Sequence, residues 1–143
     1  MINLTGFLLI TVFTNGCYDI LHPGHIELLN YASSLGDRLI VCLDTDERVK
    51  QNKGTDRPIN SLAVRAKIVG ALKPVSAVLP FDSDEELCSI FEAFNADLLV
   101  IGEEYKHKNI VGEDFVKKVI FYERDIRYST TDVIKNINNR RVL

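Results

Sequence analysis

Residues 14–25 have the sequence TNGCYDILHPGH, in which two of the chain's three histidines, His22 and His25, lie on either side of a Pro-Gly pair. An apolar, β-branched run, Phe7–Thr14, leads into this stretch and predicts a buried strand. Residues 26–35, IELLNYASSL, follow it with apolar positions at helical spacing and predict a helix. The stretch therefore joins the end of a strand to the start of a helix.

The alternation of strands and helices continues along the chain. Further strands are predicted at 38–43, 75–79, 97–101 and 119–122, and further helices at 61–72, from 82–84 to about 94, and from 129 onwards, with a helical turn at 115–118. Residues 44–60 are polar and contain a glycine and a proline, which predicts a charged loop. Strands that alternate with helices favour right-handed crossovers and a mainly parallel sheet covered on both faces, an α/β fold.

The composition is typical of one soluble globular domain spanning residues 1–143, since 46% of the residues are hydrophobic and 26% are charged. The net charge of −3 argues against a surface for duplex nucleic acid. The apolar run 7–13 is short and no basic segment precedes it, so we expect neither a membrane span nor a signal peptide. Cys17, Cys42 and Cys88 form no CxxC pattern, which predicts a reduced, cytoplasmic protein.

Polar and reactive residues are concentrated where the predicted strands end. In open parallel sheets, ligands bind beyond the carboxyl ends of the strands. In this chain those ends are residues 14–19, Asp44, residues 102–105 and the approach to Ser129. The sequence therefore predicts a ligand site to which these four segments contribute.

The segment His22-Pro23-Gly24-His25 is compatible with a metal pair, a nucleophile with its base, or a phosphate site. A helix start presents unpaired N–H groups and a partial positive charge, Gly24 lets an anion approach the backbone, and imidazoles can donate hydrogen bonds to phosphate oxygens. No further Cys or His has zinc-ligand spacing. Cys17 leaves a Cys/His pair open, although no acyl-transfer arrangement accompanies it. A phosphate site is the interpretation we favour.

Cationic side chains at two places are candidates for holding an anion. Lys50, Lys53 and Arg57 surround a glycine in the charged loop, which predicts either a flexible cationic flap or a solvated surface loop. Arg65 lies among apolar residues of the predicted 61–72 helix. We expect its side chain either to face the site from a buried position or to extend to solvent.

Two later segments carry backbone or hydroxyl groups suited to a nucleotide. Residues 102–105, GEEY, form either a strand-end loop that offers backbone groups to a nucleobase or an ordinary turn. The run Ser129-Thr130-Thr131 supplies a second anion-binding helix start. Ser129 with Asp132 three residues later also fits a plain helix cap, which explains part of this cluster of hydroxyls.

Taken in order, GCYDILHPGH, KGTDRPI, the arginine-bearing helix, DLLVIGEEYK and STTDVI resemble the HxGH nucleotidyltransferases of the cytidylyltransferase-like family. The resemblance extends from about Phe7 to Ile137 and implies a Rossmann-like three-layer α/β/α sandwich. TNG, DRPIN and DLLVIG resemble the heptose 1-phosphate adenylyltransferase branch of the family. Arg124, five residues before STT, matches the glycerol-3-phosphate cytidylyltransferase branch instead.

The resemblance implies transfer of a nucleoside monophosphate from an NTP, ATP or CTP, to a phosphorylated sugar or polyol, with release of pyrophosphate. It implies catalytic roles in binding and stabilising phosphates for His22, His25, Lys53 and Arg65. It implies nucleotide binding by a second set of residues, namely Asn15, Gly16, Cys17, Asp19, Gly24, Gly102, Tyr105, Arg124, Ser129 and Thr130. Within this set, the implied position of Gly102 and Tyr105 is beside the base.

The resemblance also implies that Mg²⁺ is bound mainly by the triphosphate, with few protein ligands, and that the protein is a homodimer. It implies no nucleic-acid or membrane partner. Glu103 departs from the family pattern, because many heptose enzymes have a second glycine at this position. Cys17 also departs from it, standing where relatives often have Thr, Val or Ser, and Ala63 replaces a carboxylate two residues before Arg65. These departures leave open a second class of function, a nucleotide-binding module without turnover.

Overall fold

The computed structural model describes residues 2, 4, 6–124 and 127–140, and within these residues strands and helices alternate. The strands are β1 (Thr11–Gly16), β2 (Arg38–Asp44), β3 (Ala77–Phe81), β4 (Leu98–Gly102) and β5 (Lys118–Tyr122). The helices are α1 (Pro23–Ser34), α2 (Asp46–Lys53), α3 (Leu62–Gly70), α4 (Asp84–Ala93) and α5 (Thr130–Arg140), with short 3₁₀ helices at Glu103–Tyr105 and Glu113–Phe115.

The strands form one sheet in the order β3-β2-β1-β4-β5, and every neighbouring pair is parallel. The sheet is thus wholly parallel where the sequence predicted a mainly parallel one. The strand order reverses between β1 and β4, because the chain first builds outwards through β2 and β3 and then returns to the other side of β1. Ligands of such sheets bind at this reversal, beyond the carboxyl ends of the strands.

Two apolar cores cover the two faces of the sheet, which gives the predicted three layers. Alternate residues of β1 point to opposite faces, so Val12 packs in one core and Phe13 in the other. The Val12 core contains Leu29 of α1 and Val69 of α3. The Phe13 core is closed by α4, whose Phe91 ring lies edge-on to Phe13 at a centroid distance of 5.1 Å.

β1 begins at Thr11, four residues later than predicted. The apolar side chains of Phe7 and Leu8 are 71% and 74% exposed, so this part of the run lies outside the core. Thr11 is the first residue of β1 that pairs with β2, and its N–H donates to the Asp97 carboxylate at 2.8 Å. An apolar, β-branched run predicts a strand but does not show where pairing begins.

Residues 44–60 were predicted to be a loop, and this is wrong for α2. Only Val49 of this helix is buried, so the segment has no apolar face at helical spacing. Its signals are at its ends: Thr45 accepts a hydrogen bond from the Arg48 N–H, the first turn is acidic, and Lys50 and Lys53 occupy the last turn. This distribution of charge complements the helix dipole.

Other boundaries differ by a few residues. α1 starts at Pro23, three residues before the predicted 26, because proline is suited to the first position of a helix. β3 covers Ala77–Phe81, not 75–79, and contains Pro80, which an edge strand tolerates. Within the described part of the chain, no helix is both long and apolar enough to cross a membrane.

The close packing around Gly36, two residues before β2, provides a test of how β1 packs. A Cβ at Gly36 would lie 2.6 Å from Val12 Cγ2 and 2.8 Å from the Ile10 carbonyl oxygen. We expect Gly36→Ala to lower the free energy of unfolding by about 1–3 kcal/mol, measured by urea denaturation. The matched control is Gly70→Ala, whose Cβ would lie 3.7 Å from Val78 and should leave stability unchanged or slightly higher. Equal effects of the two substitutions would contradict this packing.

Candidate active site

A pocket of about 530 Å³ lies beyond the carboxyl ends of β1, β2 and β4, where the strand order reverses. It is lined by the β1–α1 loop, the first turn of α1, α2 and the loop after it, the segment after β4, and the start of α5. Of the residues with implied roles it is lined by His22, His25, Lys53, Asn15, Gly16, Cys17, Asp19, Gly24, Gly102, Tyr105, Arg124, Ser129 and Thr130. The predicted convergence of separate segments is therefore present, with Arg65 as the exception.

His22 and His25 form one unit at the start of α1. The backbone N–H of His22 donates to His25 Nδ1 at 3.2 Å, and the His25 N–H donates to the His22 carbonyl oxygen at 3.0 Å. The two rings stack with centroids 3.9 Å apart. Because Nδ1 of His25 accepts a hydrogen bond, a neutral His25 carries its proton on Nε2 and can donate it.

Both imidazoles are neutral at pH 7 in this pocket. Burial lowers the pKa of His25 to about 3, and the nearby positive charges of His22, Arg124 and Lys53 act in the same direction. Burial, followed by the charge of Arg124, also lowers the pKa of His22. Neutral imidazoles cannot attract an anion by full charge, but each retains an N–H group that can donate a hydrogen bond.

The β1–α1 loop bends sharply at Tyr18, which has φ of +49°. The Tyr18 hydroxyl lies 3.3 Å from the Thr14 hydroxyl, and burial raises its pKa to about 12. A Cβ at Gly16 would lie 3.2 Å from the Tyr18 ring, so glycine at this position lets the ring fold back under the loop. Tyr18 thus supports the pocket floor beside His25, to which its ring is 5.1 Å away.

Cys17 does not have the environment of a nucleophile. Burial raises the pKa of its thiol, an effect that the charges of Lys53 and Arg65 oppose. The thiolate is the nucleophilic form of cysteine, so a thiol with a raised pKa is unreactive at neutral pH. A Cys/His catalytic pair therefore has no electrostatic support.

Asp19 connects the β1–α1 loop to the segment after α2. Its two carboxylate oxygens accept hydrogen bonds from the Ile59 N–H at 2.7 Å and from the Asn60 N–H at 2.8 Å. The amide of Asn60 donates in turn to the Asp19 carbonyl oxygen at 3.2 Å. Asp19 is 4% exposed, and its carboxylate holds the β1–α1 loop against the segment after α2.

Arg65 is fully buried and does not line the pocket. Its guanidinium donates to the Cys17 carbonyl at 2.9 Å, to the Asn60 carbonyl at 3.0 Å and to the Asp46 carboxylate at 2.8 Å. The expected burial is therefore present, but the expected position facing the site is not, because the side chain does not line the pocket. The phosphate contact implied for Arg65 stays a prediction, whereas its hydrogen bonds join the β1–α1 loop to α2 and to the start of α3.

The cationic flap consists of the last turn of α2 and the loop that follows it. Lys53, the last residue of α2, is exposed and lines the pocket. Arg48 also lines the pocket, but its guanidinium is paired with Asp44 at 2.7 Å and with Asp84 at 2.6 Å. Lys53 is therefore the more available of these two cations.

The opposite wall follows β4. Gly102 ends β4 and the 3₁₀ turn after it carries Glu104, whose carboxylate pairs with the Arg124 guanidinium. The side chain of Tyr105 is 46% exposed at the pocket edge. The segment GEEY thus forms a turn at the end of β4, and its contact with a nucleobase stays a prediction.

The start of α5 contains the helix cap that the sequence predicted. The Ser129 hydroxyl accepts from the Asp132 N–H at 3.0 Å and donates to the Asp132 carboxylate at 2.7 Å. The Thr130 hydroxyl donates to the Ile20 carbonyl at 2.9 Å, which ties α5 to the β1–α1 loop. Both hydroxyls thus have partners within the protein. Thr131 also lines the pocket, and the first residues of a helix have unpaired backbone N–H groups that can bind an anion.

Sequence reasoning missed several pocket residues. Asn52 lies on α2, which was predicted as a loop, and Asn109, Ile110 and Val111 follow the turn after β4. The charge distribution of α2 was a usable signal for Asn52. Residues 109–111 have no local signal, because the return of the chain towards β5 brings them to the pocket.

The pocket's carboxylates already have partners within the protein. Asp19 accepts two backbone N–H groups, Asp44 pairs with Arg48, and Glu104 pairs with Arg124. Within the ranges that the structure describes, no three His, Cys, Asp or Glu side chains are grouped so that they could hold a metal ion.

Comparison with known proteins gives consistent matches. Residues 13–136 match the family model described as cytidylyltransferase-like. The chain is 41% identical over 131 residues to the bifunctional protein HldE of Helicobacter hepaticus and 47% identical over 132 residues to that of Histophilus somni. The alignments cover 92% and 88% of this chain, which spans only about 27% of the length of these relatives.

Two solved structures share the fold. The lipopolysaccharide core biosynthesis protein from Thermoplasma volcanium aligns with a TM-score of 0.70 at 24% identity, over 82% of this chain and 99% of that one. A protein of unknown function from Archaeoglobus fulgidus aligns with a TM-score of 0.61 at 20% identity, over 85% and 94% of the two chains. At these identities the likeness concerns the fold alone.

The lowered pKa of His25 predicts that its ring stays neutral far into the acid range. The pKa in the unfolded chain is about 6.5, so the folded protein binds fewer protons than the unfolded chain below that pH. Stability should be fully present above pH 6.5 and fall by up to ~1.4 kcal/mol per pH unit as the pH drops towards 3. NMR of the His25 ring carbons should show no protonation at pH 5. A midpoint near 6.5, as in a reference peptide, would contradict the geometry.

Removing the Arg65 guanidinium should destabilise the β1–α1 loop, because the loop loses the hydrogen bond to the Cys17 carbonyl. Arg65→Met keeps the stem and leaves the carbonyls of Cys17 and Asn60 without their donor, so we expect a loss of about 2–4 kcal/mol in the free energy of unfolding. The matched control is Lys67→Met, an exposed cation two residues along the same helix, which should cost less than about 0.5 kcal/mol. Urea denaturation of both variants measures the difference, and equal losses would show that the three hydrogen bonds contribute nothing.

Proposed function

This chain belongs to the cytidylyltransferase-like family, and from that membership we propose that it is a nucleotidyltransferase. It transfers a nucleoside monophosphate from an NTP to the phosphate of a phosphorylated sugar or polyol and releases pyrophosphate. The observation that carries the proposal is the pair of stacked, neutral imidazoles at the start of α1, which faces a pocket lined by four cationic side chains, Arg48, Lys53, Arg57 and Arg124.

The reaction needs little proton transfer. A phosphate monoester is largely ionised at neutral pH, so one of its oxygens can attack the α-phosphorus without a general base. A new P–O bond forms to the acceptor, and the bond from the α-phosphorus to the oxygen that bridges to the β-phosphorus breaks. The electron pair leaves with pyrophosphate. Neutral imidazoles suit this reaction, because it requires hydrogen-bond donors for oxygens on which negative charge grows.

The protein groups have distinct roles in this proposal. His25 donates from Nε2, since its Nδ1 is engaged by the His22 backbone, and both rings contact the α- and β-phosphates. The start of α5 binds the β- and γ-phosphates through backbone N–H groups, which supports roles for Ser129 and Thr130 in shaping the turn. Arg124 is a cation of the pocket wall whose charge acts on both histidines.

Mg²⁺ fits the site as an ion held by the triphosphate. The pocket's carboxylates are engaged by backbone N–H groups or by arginines, so the protein offers few free anionic ligands. The ion would neutralise part of the charge of the triphosphate. The residues of this chain then contribute positioning and hydrogen bonds.

For the substrates we propose ATP and a heptose 1-phosphate. The support is the resemblance of TNG, DRPIN and DLLVIG to the heptose branch. In the structure these three segments all contribute to the pocket, through Asn15, Arg57 and Gly102. A cytoplasmic homodimer is part of the same proposal and rests on the family resemblance.

A pyrophosphate-release screen tests the proposed function. Each of the four NTPs is combined with heptose 1-phosphate, glycerol 3-phosphate or another sugar phosphate in the presence of Mg²⁺. We expect the fastest release with ATP and heptose 1-phosphate. His22→Ala and His25→Ala should each lower kcat about 10²–10³-fold, because each removes a donor to the growing negative charge.

The control is His107→Ala, which removes an exposed histidine that does not line the pocket and should leave turnover unchanged. Undiminished release in both pocket variants would contradict the mechanism. Tight NTP binding by calorimetry without pyrophosphate release from any acceptor would instead identify a binding module without turnover.

A further inference from the structure

Arg57 is a buried cation at the wall of the pocket. The residue is 9% exposed and lines the pocket. No hydrogen bond from its guanidinium to any described residue is present, and its Nε is one of two buried side-chain nitrogen or oxygen atoms without a partner in the described part of the chain. The other is Nδ1 of His22.

The neighbouring carboxylate does not satisfy this guanidinium. Asp19 Oδ2 lies 3.6 Å from Arg57 Nε, which is an ion-pair distance but too long for a hydrogen bond. Both Asp19 oxygens already accept short hydrogen bonds from the backbone N–H groups of Ile59 and Asn60. Asp19 therefore places a negative charge beside Arg57, while the N–H groups of Arg57 remain available for an acceptor.

Such an arrangement suits an anionic ligand. Burial of an arginine without hydrogen-bond acceptors is unfavourable, and a ligand with several acceptor oxygens removes that penalty. The planar guanidinium matches phosphate in a two-bond geometry. Lys53 lies close by, because the Arg57 N–H donates to the Gly54 carbonyl at 3.2 Å and this turn brings Arg57 back towards the end of α2.

The position of Arg57 distinguishes it from the groups assigned to the triphosphate. Adjacent residues of the β1–α1 loop contact opposite sides of the pocket: Asp19 binds the segment after α2, and the Ile20 carbonyl accepts from Thr130 at the start of α5. The start of α5 is the proposed site of the leaving pyrophosphate. An in-line displacement requires the attacking group to approach from the other side, which is the side of Arg57.

We propose that Arg57, together with Lys53, binds the phosphate monoester of the acceptor and aims one of its oxygens at the α-phosphorus. This inference rests on the proposed function, and it assigns the acceptor subsite within the same pocket. The bound phosphate forms the new P–O bond with the nucleotide. Arg57 transfers no proton in this step, and it is a binding and positioning residue for the acceptor.

Binding measurements test the proposal separately from turnover. Wild-type protein, Arg57→Gln and Arg57→Lys are titrated with heptose 1-phosphate and with glycerol 3-phosphate, each in the presence of saturating α,β-methylene ATP, and separately with the analogue alone. We expect Arg57→Gln to weaken the Kd of at least one acceptor at least tenfold and that of the ATP analogue less than threefold. Arg57→Lys should recover part of the acceptor affinity, since it restores the charge without the two-bond geometry.

Lys67→Gln is the matched control, because it removes an exposed cation of α3 that does not line the pocket, and it should change neither affinity. In wild-type protein, the NMR signal of the Arg57 Nε–H should shift on addition of the acceptor, a readout that requires no folded variant. Equal weakening of analogue and acceptor would assign Arg57 to the triphosphate and overturn the proposal, as would unchanged affinities or a wild-type protein that binds neither acceptor. Acceptor binding through Arg57 without any pyrophosphate release would instead refute the proposed function and leave the subsite in place.

Discussion

The pocket depends on the hydrogen bonds that hold the β1–α1 loop in place. The guanidinium of Arg65, fully buried, donates to the Cys17 and Asn60 carbonyls and to Asp46 of α2. Asp19, two residues after Cys17 in the same loop, adds to this connection. Its carboxylate accepts hydrogen bonds from the backbone N–H groups of Ile59 and Asn60. Most of these bonds engage backbone groups, so they fix the path of the chain independently of the side chains that line the pocket. α1 begins at a defined place, with His22 immediately before its first residue, because the loop that precedes it is fixed.

The hydrogen bonds of the site divide its residues into two groups. Some residues of the site use their polar side-chain groups on the protein itself, as Arg65, Asp19 and Thr130 do. Others line the pocket and retain donors, as His25, Lys53 and Arg57 do. The family resemblance implied roles for residues of both kinds, because a motif shows which residues occur together but not which atoms already have partners. The hydrogen bonds separate the two groups, and the second group supplies the side chains to which the proposed function assigns substrate contacts.

Much of the fold could be predicted from the sequence, because buried parallel strands have apolar β-branched runs and most of the helices have apolar faces. α2 could not be found in this way, since Val49 is its single buried side chain and its signals are a capping Thr45 and the order of its charges. For the site, the carboxyl ends of the strands predicted the right segments. The burial of Arg65 and the contribution of Asn109 depend on contacts between distant segments, for which the local sequence has no pattern.

The stacked histidine pair also has a thermodynamic consequence for the nucleotide binding proposed above. Burial and the surrounding cations keep both rings unprotonated at neutral pH. A bound triphosphate places several negative charges against those rings and favours the imidazolium form. Proton uptake and ligand binding are then linked, so each strengthens the other as the solution becomes more acidic. The heat of binding would accordingly include the ionisation heat of the buffer that supplies the proton, and the affinity for the nucleotide would rise on mild acidification.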